Sequence, residues 1–179
     1  MGVLDSLQVV DLSHGIAGPI TGMFMADFGA QVVKIESPLG DPGRDTPGFS
    51  MWNRGKKSVV VDPADEAQCR WLGELIAGAA ICIVRDAQTF RAFGLSHEVL
   101  RTRNARLIVL ELAPYGRTTP WLGGHESQAL LAAAGGVAWR QSGTDGGPID
   151  SVYPHLQWQL LHLLPALLPL LLKNRPNLP

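Results

Sequence analysis

The chain has 179 residues, 46% of them hydrophobic and 17% charged, so it is long enough to bury a core and too apolar to stay disordered. Its formal net charge of -1, with both signs spread along the sequence, removes the electrostatic case for nucleic acid or a membrane surface as partner. Two cysteines, Cys69 and Cys82, have neither CxxC spacing nor nearby histidines; they read as reduced core thiols, and no metal site is implied.

The opening MGVLDSLQVVDLSHG lacks a basic segment followed by an apolar stretch and a small-residue cleavage site. No signal peptide is read, and the cytoplasm is the expected compartment. Val9 to Leu12 predicts a short strand, and after Pro19 the spacing of Ile20, Met23, Phe24 and Phe28 predicts a helix that Gly29 stops. QVVKIE (31–36) predicts a second strand, SPLGDPGRDTPG an exposed loop, and SVVVD a third strand after the basic turn NRGKK. Pro63 is expected to open a helix with Cys69, Leu72, Leu75 and Ile76 on its apolar face and with Asp65 and Glu66 in the first turn, where the helix dipole favours acids. Strand AICIV, a short helical stretch to Leu95, a polar helix to about Arg103 and strand ARLIVLEL follow. Strands this continuously apolar, alternating with helices, imply an α/β fold with a parallel sheet covered on both faces.

The last third changes character. PYGRTTPWLGG reads as a loop, Glu126 to Val137 as an Ala/Leu-rich helix, and RQSGTDGGP as another loop. The thirteen-residue run LLHLLPALLPLLL is too short to span a bilayer and has the length of a buried core helix, so the fold is expected to end in a long apolar helix. No internal repeat or low-complexity tract is present.

The ordered series VVDLSHGIAGPITGMFMADFGAQVVKIESP, WNRGKKSVVVD, GL and ARLIVLEL-P-YG resembles the family III CoA-transferases, the group of formyl-CoA and carnitine-CoA transferases, with alpha-methylacyl-CoA racemase as a relative. The resemblance runs from about Leu7 to Lys173. It implies a Rossmann-like sheet and an acyl-CoA:carboxylate CoA-transferase. An Asp carboxylate attacks the thioester, giving an acyl anhydride and then an aspartyl-CoA thioester that passes CoA to an acceptor acid. Coenzyme A is then a cosubstrate, with no permanently bound cofactor, and the partners are acyl-CoA and a carboxylic acid. The resemblance places CoA contacts at Ile16 and Ala17, at Asn53, Arg54, Gly55 and Lys56, and at Arg91. A glycine-containing turn at a helix start suits an anion, and cations in a turn suit phosphate, although such a turn is also a common solvated surface feature.

Two departures from the family pattern stand out. VRDAQTF replaces the usual Glu-Asn-Phe-x-Pro-Gly, putting Arg85 and Asp86 where Asn and Phe meet the cofactor, and Ser37 stands where an Arg or Pro is common. For the nucleophile, Asp150 in GGPIDSVYPHLQW is the expected residue, with Asp145 a weaker candidate; a capping role for Asp150 is the structural alternative. His125, in Gly-His-Glu, resembles the racemase's Gly-His-Asp and leaves open proton transfer by His125 with Asp150.

Members of the family are more than twice this length. Their chains return after a small domain to complete the large one, and two chains interlock. Residues 1–179 are therefore expected to be the N-terminal part of the large domain, incomplete relative to the family fold, with the small domain and the return absent. A homodimer or a partner supplying the missing half is expected, and a non-catalytic fragment is the alternative, since an uncovered apolar helix costs about 25 cal/mol per Å² exposed.

Overall fold

The computed structural model describes residues 2–113, 127–140 and 146–147. Strands β1 (Gln8–Asp11), β2 (Gln31–Glu36), β3 (Lys57–Val60), β4 (Ile81–Val84) and β5 (Ile108–Glu111) form one sheet in the order β3-β2-β1-β4-β5. Every pairing is parallel. The helices are α1 (Ala17–Asp27), α2 (Phe49–Trp52), α3 (Glu66–Gly78), α4 (Ala87–Ala92), α5 (His97–Arg103), α6 (Gln128–Ala134) and α7 (Val137–Arg140).

Apart from the exposed edge strand β3 and the charges at Asp11, Lys34 and Glu36, the strands are largely apolar, and the period of two sorts their side chains into two cores. Val9, Val32, Ile81, Ile83 and Ile108 pack with Ala17 and Met25 of α1 on one face. Val10, Ile35, Cys82 and Val84 pack with Leu72, Ile76, Phe90 and Leu100 of α3 to α5 on the other. Helix α1 is buried from Ala17 to Met23 and again at Met25, as expected of a helix with no polar stripe.

Side chains cap most of the longer helices. The Asp65 carboxylate accepts from Ala67 N and Gln68 N, Asp86 from Thr89 N, Ser96 from Val99 N, and Ser127 from Leu130 N. Asp65 is thus the cap of α3 and lies outside the first turn in which it was expected, while Pro63 precedes the helix. Gln68 completes the cap by donating back to Asp65 at 2.9 Å and accepting from Asp62 N at 2.8 Å.

Three further expectations are corrected, and one element is added to them. The loop SPLGDPGRDTPG is not wholly exposed, because Asp41 is buried in an ion pair with Lys34. A helical turn, α2, precedes the basic turn. The Ala/Leu-rich helix begins at Gln128, after the Ser127 cap, and is broken at Gly136, whose φ of 71° ends α6 before α7. Cys82 is a core thiol, but Cys69 is only half-buried, with Sγ facing the carbonyls of Asp62 and Pro63. The long apolar helix expected over 160–172 lies outside the described residues. Among those described, no helix is long and apolar enough to cross a membrane.

Candidate functional site

The chain builds outward from β1 through β2 to β3, then crosses to the other side for β4 and β5. The carboxyl ends of β1 and β4 therefore flank a topological switch point, the crevice where open α/β sheets bind ligands. Its walls are the loop after Asp11 and the loop after Val84, joined at the base by Leu12 N donating to Ile83 O at 2.8 Å. Higher up, His14 Nε2 and Arg85 Nη1 approach to 3.4 Å, so side chains of the two loops meet across the crevice. Gly15 turns the chain into α1 with φ 81°, a conformation an L side chain resists, and among the described residues no atom beyond its two chain neighbours lies within 4 Å of where its Cβ would stand. Among the described residues Ile16 caps α1 without a side-chain hydrogen bond, so the positive end of the helix dipole follows the loop after β1 with no side-chain cap.

Beneath this loop lies a cluster of charges that the sequence reading did not anticipate. Asp11, fully buried, accepts from Lys56 Nζ at 2.7 Å and from Ser13 N at 2.9 Å, and it also accepts from the Ser13 hydroxyl. Lys34, its parallel partner in β2, donates to Ser13 O at 2.9 Å and pairs with Asp41 at 2.7 Å. Glu36 accepts from Arg44 Nε and Nη2, each at 2.8 Å, from Ser58 Oγ at 2.6 Å and from Asp41 N at 3.0 Å. Burial pushes the Asp11 carboxyl up, but the Lys56 and Lys34 ammoniums and hydrogen bonds from Lys56 and Ser13 outweigh it and hold the group below its ordinary value. Burial lowers Lys56, and the neighbouring Asp11 offsets only part of that. The cluster balances three cations, Lys34, Lys56 and Arg44, against three anions, Asp11, Glu36 and Asp41. A signal for it exists in VVDLS and VVKIE, where charges interrupt strands that are otherwise apolar on both faces; such charges must be paired.

Ile16 and Ala17 form the start of α1, Ile16 as its cap and Ala17 buried in the core, while the loop residue before them, His14, approaches Arg85. Arg91 is exposed in the last turn of α4, the helix that Asp86 caps. The basic turn is placed otherwise. Arg54 pairs with Asp27 at 2.5 Å and donates to Met51 O at 3.3 Å, so it is tied to the far end of α1, about 15 Å along the helix axis from Ala17. Lys56 turns inward with a side chain only 2% exposed, and its ammonium donates to Asp11, to Pro19 O at 2.8 Å and to Asn53 Oδ1 at 2.9 Å. Gly22 of α1 makes room for it, since a Cβ there would stand 3.0 Å from Lys56 Cε and 3.1 Å from Asp11 Oδ2. Asn53 is half-buried and Gly55 exposed. The expected catalytic residues Asp150 and His125, and Asp145 with them, lie outside the described residues.

A family model described as CoA-transferase family III matches residues 4–160. The chain belongs to CoA-transferase family III. Among curated family relatives, it is 33% identical to a succinyl-CoA:mesaconate CoA-transferase of Haloarcula hispanica over 173 residues, covering 86% of this chain and 43% of that protein. It is 32% identical to a probable fatty acyl-CoA transferase, Rv3272, of Mycobacterium tuberculosis, covering 81% of this chain and 40% of that protein. A crystal structure of Rv3272 matches with a TM-score of 0.87 at 30% identity, covering 98% of this chain and 52% of that one. The chain thus spans about two fifths of the length of these curated relatives. The family III resemblance and the parallel sheet with flanking helices are both borne out.

Proposed function

We propose that this chain is the N-terminal part of the large domain of an acyl-CoA:carboxylate CoA-transferase, and that it cradles coenzyme A at the switch point. The observation that carries this reading is the uncapped start of α1 at the crevice, in a chain that belongs to family III and whose relatives bear CoA-transferase names. Backbone amides at Ala17 and Gly18 would receive an anionic or carbonyl oxygen of the ligand. Arg91 would meet a phosphate from the rim, with Ile16 packing against the ligand's apolar stretch. Asn53, Arg54 and Gly55 are assigned to a more distant part of an extended ligand.

For the chemistry, Asp150 is assigned as nucleophile. Its carboxylate oxygen attacks the thioester carbonyl, expelling the CoA thiolate and leaving an acyl-aspartyl anhydride. The thiolate then attacks the aspartyl carbonyl, releasing the donor as its carboxylate and leaving aspartyl-CoA. An acceptor carboxylate repeats the sequence in reverse, so that CoA leaves on the acceptor and Asp150 is restored. Turnover is assigned to a homodimer or to a complex in which the segments that longer relatives carry are supplied.

The test is to incubate the purified chain with succinyl-CoA and longer acyl-CoAs, trap with borohydride and map the peptides by mass. Binding of CoA with modification confined to Asp150 is expected. Binding without modification would restrict the chain to holding the ligand, and no binding at all would overturn the proposal.

A further inference from the structure

Asp11 and Lys34 stand in strands, yet their charges end on the loop that faces the crevice. Lys34 holds the Ser13 carbonyl, and Asp11 holds the Ser13 amide and hydroxyl. Lys56, anchored on Asp11, holds the Pro19 carbonyl in the first turn of α1. The crevice loop is therefore gripped on both sides of Gly15, from β2 through Lys34 and from the segment entering β3 through Lys56. Asp41 binds the loop after β2 to the same group. All three ammonium protons of Lys56 are already donated, and moving it toward a ligand would strand Asp11, which is fully buried. Buried pairs add little net stability compared with apolar residues of the same volume, so fixing a geometry is the stronger role for them.

From this geometry we infer that the buried pairs Asp11–Lys56 and Lys34–Asp41 are a positioning device that fixes loop 12–16 and the start of α1. Lys56 then acts on the ligand through Asp11 and Pro19, without touching a phosphate. The part concerning ligand rests on the proposed function, and the part concerning the loop does not.

The test uses the 179-residue chain with Lys56→Gln, Asp11→Asn and the double variant, in which the charged pair becomes a neutral hydrogen-bonding pair. Hydrogen exchange is read first, without ligand. Each single variant should raise exchange in peptides covering 12–19 by about tenfold while β4 stays protected, and the double variant should recover most of that protection. Unchanged exchange in 12–19, or a rise shared equally by β4, overturns the inference, because a merely structural role loosens the sheet as a whole.

Binding of CoA, dephospho-CoA and pantetheine is then compared. A positioning loss raises all three Kd values by one common factor, about tenfold. Weaker CoA with unchanged pantetheine indicates a direct phosphate contact and overturns the inference. Should the unmutated chain bind none of the three, the proposed function falls, and the exchange result alone upholds or overturns the positioning device.

Discussion

Glu36→Gln removes one charge from the cluster while keeping the side chain's shape, and the structure fixes both the size and the pH dependence of the effect. The Glu36 side chain is 2% exposed. Its Oε2 receives Arg44 Nε and Asp41 N, both obligate donors, so the amide nitrogen of Gln must take the Oε1 position. There Ser58 Oγ can turn to accept, but Arg44 Nη2 cannot. Arg44 is 54% exposed and its pair is screened, so it is left out of the sum. The bond from Asp41 N, and the bond with Ser58 Oγ, now an acceptor, each fall from the charged range, about 1.5–3 kcal/mol, to the neutral one, about 0.5–1.5 kcal/mol. The expected loss is about 2–3 kcal/mol at pH 7, or about 4–12 °C in Tm for a chain of this size.

In the wild type, burial pushes the Glu36 carboxyl up, but hydrogen bonds from Arg44 and Ser58, the Arg44 charge and the Asp41 amide outweigh it and hold the group below its ordinary value. Its stabilisation is therefore complete above the unfolded value of about 4.3 and is lost as pH falls through the lower folded value. Urea unfolding of both proteins from pH 7 to pH 3 should show a gap that closes on the acid side, where the wild-type carboxyl also becomes neutral. A gap that is constant over this range would refute the assignment of charge to the buried carboxylate.

Two further outcomes are expected. Gly22→Ala, a change that ordinarily stabilises a helix interior by about 0.5–1 kcal/mol, should here cost about 1–3 kcal/mol in urea unfolding, because Lys56 is held by three acceptors and cannot retreat from the new Cβ. A gain in stability would show that the ion pair is mobile. In the folded chain, N-ethylmaleimide should label Cys69 well before Cys82, since burial pushes the Cys82 thiol far up; peptide mapping that finds equal rates would refute the burial of β4.

Where the sequence was legible, one physical rule dominated at each point. Val9, Val32, Ile81 and Ile108 sit in apolar runs too short for helices and bounded by turns, and all four fall in parallel strands. Gly29 ended α1 with φ 104°, as its position predicted. The misplaced start of α3 came from reading Pro63 as a first-turn residue when Asp65 and Gln68 formed a stronger cap two residues later. The site was legible only in part. Ile16 and Ala17 fall at the start of α1 because strand-to-helix connectivity places them there. Lys56 does not follow local logic, because its acceptor Asp11 is 45 positions away and appears only when the sheet brings β1 and the segment before β3 together. Runs of basic residues predict cations at a surface; they carry no information about a carboxylate waiting in the core.

The cluster also constrains where attraction for an anion can come from. Its three cations and three anions cancel, so it exerts little net pull on a charge arriving at the switch point. On the proposed function, an anionic ligand must instead be met by the uncapped amides of α1 and by cations at the rim such as Arg91. Rim cations are screened by salt, whereas amides fixed by a buried, balanced frame are not rearranged by it. Ionic strength should therefore weaken the encounter more than the seating of the ligand, and the geometry of the first turn of α1, set by Ser13 and Pro19 from below, is what the buried charges maintain.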